Sequence, residues 1–235
     1  MLSQEVWNLM AIAHNPSIQT NGLVAYYDVT NPKSWAGSGQ WKDLTKNGHD
    51  LTMTGSISTA IKGGVLAWNF DATSKYFSVA ISNDVGTSGN CTLEAWIYPE
   101  DEVSVGDRGT IILLTGGEQC YLSWNKSNQK LSGFWYVKSP NGYHETGAAM
   151  SRNQWHHVCQ VWNQSDGTLY QYTDGVQTSV ATVNTGINNT GLRIGMESEA
   201  RQFSGGISVA KFYNVALTQK EVLNSFNSVR NRYSV

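Results

Sequence analysis

The sequence predicts an all-β domain, two antiparallel sheets stacked face to face, with one short helix at the C-terminal end. Three observations carry this. Charged residues make up only 14% of the 235 residues, against a usual share of roughly 25%. Gly, Ser, Thr, Asn and aromatics fill the difference, a mixture that favours strands and polar turns over helices. From Gly22 onward, short runs of Val, Ile, Leu, Tyr, Phe and Trp alternate with Gly/Asn/Ser/Asp turns, at an interval of about ten residues that suits a sandwich or barrel.

Residues 1–20 stand apart as an N-terminal arm: Leu2, Val6, Leu9, Met10 and Ala13 recur at helical spacing before "HNPSIQTNG" ends the pattern. An apolar arm needs something to cover it, either its own domain or a partner to which it tethers the chain. Its apolar part has no preceding Lys or Arg and is broken by Glu5, Asn8 and His14, so neither a secretory signal nor a membrane span is expected. Eleven strands are expected next: "LVAYYD", "VLAWNF", "YFSVAI", "CTLEAWIYP", "GTIILLTG", "CYLSWN", "KLSGFWYV", "WHHVCQVWN", "TLYQYTDG", "LRIGM" and "GGISVAKFYN". That is too many for a small barrel. "WHHVCQVWN" carries bulk at odd and even positions alike, which predicts a central strand covered on both faces. Asp174-Gly175 predicts a two-residue hairpin turn. In "ALTQKEVLNSFNSVRNRY", Thr218 and Glu221 form a capping box, Leu217 and Val222 occupy the staple positions, and Val222, Phe226 and Val229 line one docking face. No linker divides the rest, so one domain, 21–235, follows the arm.

A formal charge of −2 leaves no basic patch to hold a phosphate backbone, so nucleic acid is not an expected partner. Cys91, Cys120 and Cys159 lie in strand-like sequence without C-x-x-C spacing and are expected as buried thiols. The sequons at Asn90, Asn125, Asn163 and Asn188 are attributed to the Asn/Ser/Thr-rich composition. His156 and His157 are adjacent on a strand, face opposite ways and cannot chelate one ion. A strand-borne glycosidase site would need carboxylates at alternate positions on one face, whereas Glu94 is alone on its strand and is expected to pair with Arg or Lys across the sheet. With no G-x-S-x-G, H-E-x-x-H or phosphate loop either, the chain is expected not to be an enzyme.

The run "NGLVAYYDVTNPKSW...W.DLTKNGHDLTM", followed by "WNFDATSKYFSV", "CTLEAWIYP", "NQWHHVCQVWN", "TDG" and "GGISVAKFYNVALTQKEVLNSFNSVRNRY", resembles the laminin-G-like, concanavalin A-like jelly-roll family over roughly Asn21 to Tyr233. It is most similar to the version carried by virion proteins of tailed bacteriophages, marine and cyanobacterial phages among them. The resemblance implies a jelly-roll sandwich, core roles for Trp155 and His157, and calcium at the sandwich rim, for which Asp71 and Asp28 are the matching candidates. Ser74 and Lys75 stand where the family has an acidic pair beside Asp71, and both aspartates also suit turn caps. In "DLTKNGHDLTM", Asp43, Asn47 and Gly48 match the family's turn, with Asp43 expected as an Asx-type cap, Asn47-Gly48 as the tight turn and His49 as the start of the next strand.

The resemblance further implies a virion surface protein, part of a capsid or tail, whose partners are other virion subunits, with homo-oligomers open to it, and whose loops adhere to host or environmental glycans. Sugars stack on exposed aromatics while amides and carboxylates take their hydroxyls. Aromatics in turn-rich contexts are the candidates: Trp35 and Trp41 around "SWAGSGQW", and Asn141, Tyr143 and His144 in "KSPNGYHETG". The alternative is a purely structural cement role in which the same aromatics anchor subunit contacts. A glycan-cleaving enzyme is the third.

Overall fold

A computed structural model describes residues 17–81, 89–100, 106–116, 120–135, 142–182 and 189–235. Most of the arm therefore lies outside the described residues. Its last part is held at the start of the C-terminal helix, where the Gln19 side-chain amide donates to the Glu221 carboxylate.

All eleven expected strands form: β1 (Leu23–Asp28), β4 (Val65–Asp71), β5 (Tyr76–Ala80), β6 (Cys91–Pro99), β7 (Arg108–Gly116), β8 (Cys120–Asn125), β9 (Lys130–Trp135), β11 (His156–Asn163), β12 (Thr168–Thr173), β14 (Asn189–Ile194) and β15 (Ser204–Tyr213). Four more were not expected: β2 (Thr52–Thr54), β3 (Ser58–Lys62), β10 (Gly142–Ala149) and β13 (Val176–Thr182). Their position explains the omission. One sheet runs β13-β12-β11-β6-β15-β4-β3 with β1 added on β15, and the other runs β10-β9-β8-β7-β14-β5-β2, so these four strands are the four sheet ends. End strands face solvent on more than one side and lack the apolar alternation that reveals a strand in sequence.

Strand β15 is long enough to serve two neighbours along one edge, β4 through Ser204–Ile207 and β1 through Val209–Tyr213, while β6 runs along its other edge. The inner faces meet in a core in which Phe77, Ile112 and Leu122 of the seven-stranded sheet pack among Trp68, Leu93 and Val158 of the eight-stranded one. Strand β11 lies between β12 and β6 and is buried almost throughout, the central placement its two-sided bulk predicts. The turn after β12 places Asp174 and Gly175 at φ 51° and 77°, left-handed values that a two-residue hairpin requires and that glycine adopts without strain.

Helix α1 (Gln219–Tyr233) begins with the expected capping box at Thr218 and Glu221 and lies on the outer face of the eight-stranded sheet. Tyr233 and Phe226 stack on Trp96, with ring centroids at 3.9 and 5.7 Å. Beneath the helix Glu94 is fully buried and pairs with Lys211, its cross-strand neighbour on β15, at 2.7 Å. Ser225 of α1 donates to the same carboxylate oxygen at 2.7 Å. His157 Nε2 stands 3.2 Å from it, an ion-pair distance with the ring edge poorly aimed for a hydrogen bond. Burial alone would push the Glu94 carboxyl up; the Lys211 ammonium and His157 overcome this and hold it well below the usual carboxylate range.

Removing one partner of such a pair leaves the other charge buried and alone. Glu94→Gln is expected to cost about 3–5 kcal/mol of unfolding free energy, and combining it with Lys211→Met to cost less than the sum of the two single replacements, measured by urea denaturation. Since the carboxyl is depressed in the folded chain, its stabilisation is complete above the unfolded value of about 4.3 and declines as pH falls below it. The wild-type midpoint should therefore drop between pH 6 and pH 3, and drop less in the double variant.

Candidate functional site

The "DLTKNGHD" corner resolves into a cap for the free edge of β1. Asp43 Oδ1 accepts the amides of Tyr26 and Thr45 at 3.0 and 2.9 Å, and Oδ2 accepts the Thr45 hydroxyl and the His49 amide at 2.6 and 3.1 Å. Leu44 N donates to Tyr26 O at 2.8 Å and Asn47 Nδ2 to Val24 O at 2.7 Å. The corner thus supplies the bonds a neighbouring strand would have made. Asn47-Gly48 turns as expected, with Gly48 at φ 75°. His49 precedes the next pairing instead of beginning it, for the ladder resumes at Leu51 through a bridge to Trp41.

The calcium candidates do not fit a cation. Asp28 is buried beneath α1, where Oδ2 meets Arg232 at 2.8 Å and Oδ1 accepts the amide and hydroxyl of Thr30 at 2.9 and 2.7 Å. Asp71 is bound by Lys75 at 2.7 Å and by Thr73 at 2.5 Å; burial is the largest single influence on its carboxyl and raises it, but the bonds and charge from Lys75 and Thr73 together outweigh it and lower the carboxyl. Each carboxylate already faces a cation of the chain itself, so a hard dication would meet like charge. Among the described residues no group of three or more His, Cys, Asp or Glu side chains converges in a way that could hold a metal.

The aromatic candidates separate. Trp41 is completely buried, with its ring 5.5 Å from Tyr27, 5.3 Å from Phe77 and 5.8 Å from Trp68. The expectation of an exposed Trp41 is corrected: the glycines of "SWAGSGQW" form a loop, and the indole at its end is driven into the core by the area it can bury. Trp35 is half-buried, set edge-on against Trp68 at 4.5 Å. Asn141 and the side chain of Tyr143 lie outside the described residues. Tyr143 and His144 belong to edge strand β10, not to a loop. His144 is opposite Gly133 on β9 and shares the face that Gln160 of the other sheet approaches. Burial lowers its imidazole pKa.

A different surface forms a cleft. On the seven-stranded sheet Phe77, Val79, Leu192 and Ile194 turn inward, so their alternates Tyr76, Ser78, Ala80, Gly191 and Arg193 turn out. Register places Thr52, Ser78 and Arg193 side by side across three strands, and Ala80, Gly191 and Thr115 beside them. The second row is small, which leaves a hollow of about 430 Å³ lined also by Thr190 and by Val79 and Leu192, within the range of roughly 300–1,000 Å³ usual for small-ligand sites. Gly191 is necessary to the floor: a Cβ there would stand 2.5 Å from the Thr115 hydroxyl and 3.2 Å from Val79 O. Arg193 forms one wall, its guanidinium 4.3 Å from the Tyr76 ring centroid and Nη1 donating to Glu197 O at 3.1 Å. Sequence reading missed this site. Its signals were an arginine inside the apolar run "LRIGM" and small or hydroxyl residues at alternate positions of "YFSVAI", but the register that joins them is not visible in one strand at a time.

Two stacked antiparallel sheets in this order, sharing a long central strand and leaving a hollow on one outer face, define a jelly-roll sandwich of the lectin type. Residues 71–223, well over half of the chain, match the family model of the concanavalin A-like lectin/glucanases superfamily, to which the chain therefore belongs. Among solved structures, the binding domain of Paraclostridial Mosquitocidal Protein 1 superposes with a TM-score of 0.69 at 18% identity, covering 89% of this chain and 53% of that one. This chain thus spans about half the length of that toxin domain. Domain 4 of AbnA, a GH43 extracellular arabinanase from Geobacillus stearothermophilus solved with arabinotriose, gives 0.62 at 18% identity, covering 88% of this chain and 99% of that one. The binding domain of botulinum neurotoxin DC in complex with SialylT gives 0.64 at 13% identity, covering 88% and 51%. These likenesses are of fold. No curated protein matches the chain. Among the described residues no helix is long and apolar enough to cross a membrane.

Trp41→Ala is expected to cost about 3–5 kcal/mol, seen as a lower urea midpoint, because its ring belongs to the core. Millimolar calcium or excess chelator should leave the melting temperature unchanged, since Arg232 and Lys75 already neutralise the two aspartates; a calcium-dependent rise would contradict the fit argued above.

Proposed function

We propose that this chain is a non-enzymatic glycan-binding module displayed on a bacteriophage virion surface, with the outer cleft of the seven-stranded sheet as its ligand site. The observation that carries the reading is the chemistry of the cleft wall. Thr52, Ser78, Thr115 and Thr190 bring four hydroxyls to one hollow, the donors and acceptors that a sugar's own hydroxyls need. Among the described residues no carboxylate lines it. Glycoside hydrolysis calls for a pair of carboxyls about 5–9.5 Å apart, and the strand carboxylate nearest to such a role in sequence, Glu94, is sealed beneath α1 on the other sheet. The virion setting rests on the ordered motifs from Asn21 to Tyr233. Many copies on one particle would turn weak single-site binding into firm adhesion.

A second reading is a subunit-joining role among virion proteins. The observation in its favour is the edge strand β13, where Val176 and Val180 are 63% and 54% exposed, an apolar strip suited to another subunit or a second copy.

A multimerised form of the chain on a glycan array tests the two. The expected outcome is binding to a limited set of glycans that disappears in Ser78→Trp, which fills the hollow, while Val176→Ser with Val180→Ser retains it. Purified particles that carry the protein, with no glycan signal from any multimer, would replace adhesion by the joining role. Polysaccharide turnover abolished by a carboxylate substitution would overturn the non-enzymatic assignment.

A further inference from the structure

We propose that the cleft takes a saccharide bearing a single carboxylate, a uronic or sialic acid unit, with Arg193 as the group that binds the carboxylate. The proposal rests on the reading of the hollow as a glycan site and names the chemistry it selects.

Arg193 differs from the three arginines that are held in ion pairs. Arg108 is paired with Asp107 and Glu145, Arg201 with Glu197, and Arg232 with Asp28. Arg193 meets a backbone carbonyl and an aromatic face and, among the described residues, no carboxylate. The carboxylate of Glu197, whose carbonyl it touches, is already held by Arg201 at 3.2 Å. Arg193 stands in mid-strand, and its cross-strand neighbours are Ser78 and the buried Leu113. Two contacts fix its plane. Tyr76 covers one face and the Glu197 carbonyl holds Nη1, while the buried Nε has no acceptor.

A guanidinium held in this way is organised in advance for a carboxylate, which a ligand in the hollow would bring to its terminal amino groups. The hydroxyls of Ser78, Thr52, Thr115 and Thr190 then stand within one hollow to meet the ring hydroxyls of the same unit. The charge count sets the ligand class further. Among the described residues Arg193 is the one cation that lines the cleft, and the whole chain carries a net charge of −2, so a polyanion such as a sulfated chain or a nucleic acid would find no second cation among them. One carboxylate is matched; a series of them is not.

The test titrates the full chain, followed by NMR or calorimetry, with free glucuronic acid, N-acetylneuraminic acid, glucose and sodium acetate. At least one acidic sugar is expected to bind about tenfold or more tightly than glucose, the scale of a hydrogen bond to a charged group, and more tightly than acetate, which lacks the ring. Arg193→Gln should abolish the preference, Arg193→Lys should retain part of it, and both should keep the wild-type melting temperature. Equal binding of acidic and neutral sugars, or a preference unchanged in Arg193→Gln, would overturn the acidic assignment while leaving a glycan cleft intact. Acetate binding as tightly as the acids would reduce the site to a small-anion pocket and overturn it too. Binding that survives Ser78→Trp, or no sugar binding at all, would remove the cleft reading and this proposal together.

Discussion

The buried pair of Glu94 and Lys211 is the constraint around which the domain is arranged. A carboxylate and an ammonium taken out of water demand near-complete compensation, and here it comes from Ser225 on the helix and His157 on β11 as well as from each other. The pair and its two neighbours therefore join four parts of the chain, β6, β15, β11 and α1, in one geometry. A helix shifted by one turn would move Ser225 away, leaving Lys211 an acceptor short and Glu94 a donor short. Apolar packing through Trp96, Phe226 and Tyr233 supplies the bulk of the docking, but apolar contact alone tolerates displacement in a way that a sealed charge does not.

This arrangement gives the two sheets different roles. The eight-stranded sheet is covered inside by its partner and outside by α1, and both faces of its central strands are apolar or carry sealed charge. The seven-stranded sheet has an outer face at the β2-β5-β14-β7 end that remains hollow and polar, where Ala80 and Gly191 replace the larger residues that would fill it. Buried thiols at Cys91, Cys120 and Cys159 belong to the rigid part, and burial raises the Cys120 and Cys159 pKa well above the ordinary thiol range, so they act as small apolar residues.

The fold was legible in the sequence to the extent that burial writes a pattern. Central strands such as "CTLEAWIYP" and "WHHVCQVWN" are bulky on both faces because both faces are covered, and the capping box at Thr218 and Glu221 announced the helix. Glu94 was legible as well, since one carboxylate among apolar strand residues has to find a cation across the ladder. The four end strands were not, because solvent-facing β2, β3, β10 and β13 have mixed polarity and read as loops. The site was hardest. Aromatics near glycines suggested exposure, yet Trp41 proved to be core: a large ring at the end of a loop gains more from burial than the loop loses in freedom. The cleft depends on residues from four strands that no local window brings together.

The long strand β15 has a consequence for how the domain can be handled. With β1 on its C-terminal half and α1 across its outer surface, Gln19 and Tyr233 both end up on the back of the eight-stranded sheet. The hollow opens on the opposite side of the molecule. A purification tag, a fluorophore or a multimerising scaffold joined after Val235 would thus be shielded from the sugar-facing side by the full thickness of the sandwich, and a surface to which the domain is fixed through its C-terminal helix would leave that side turned toward the solution.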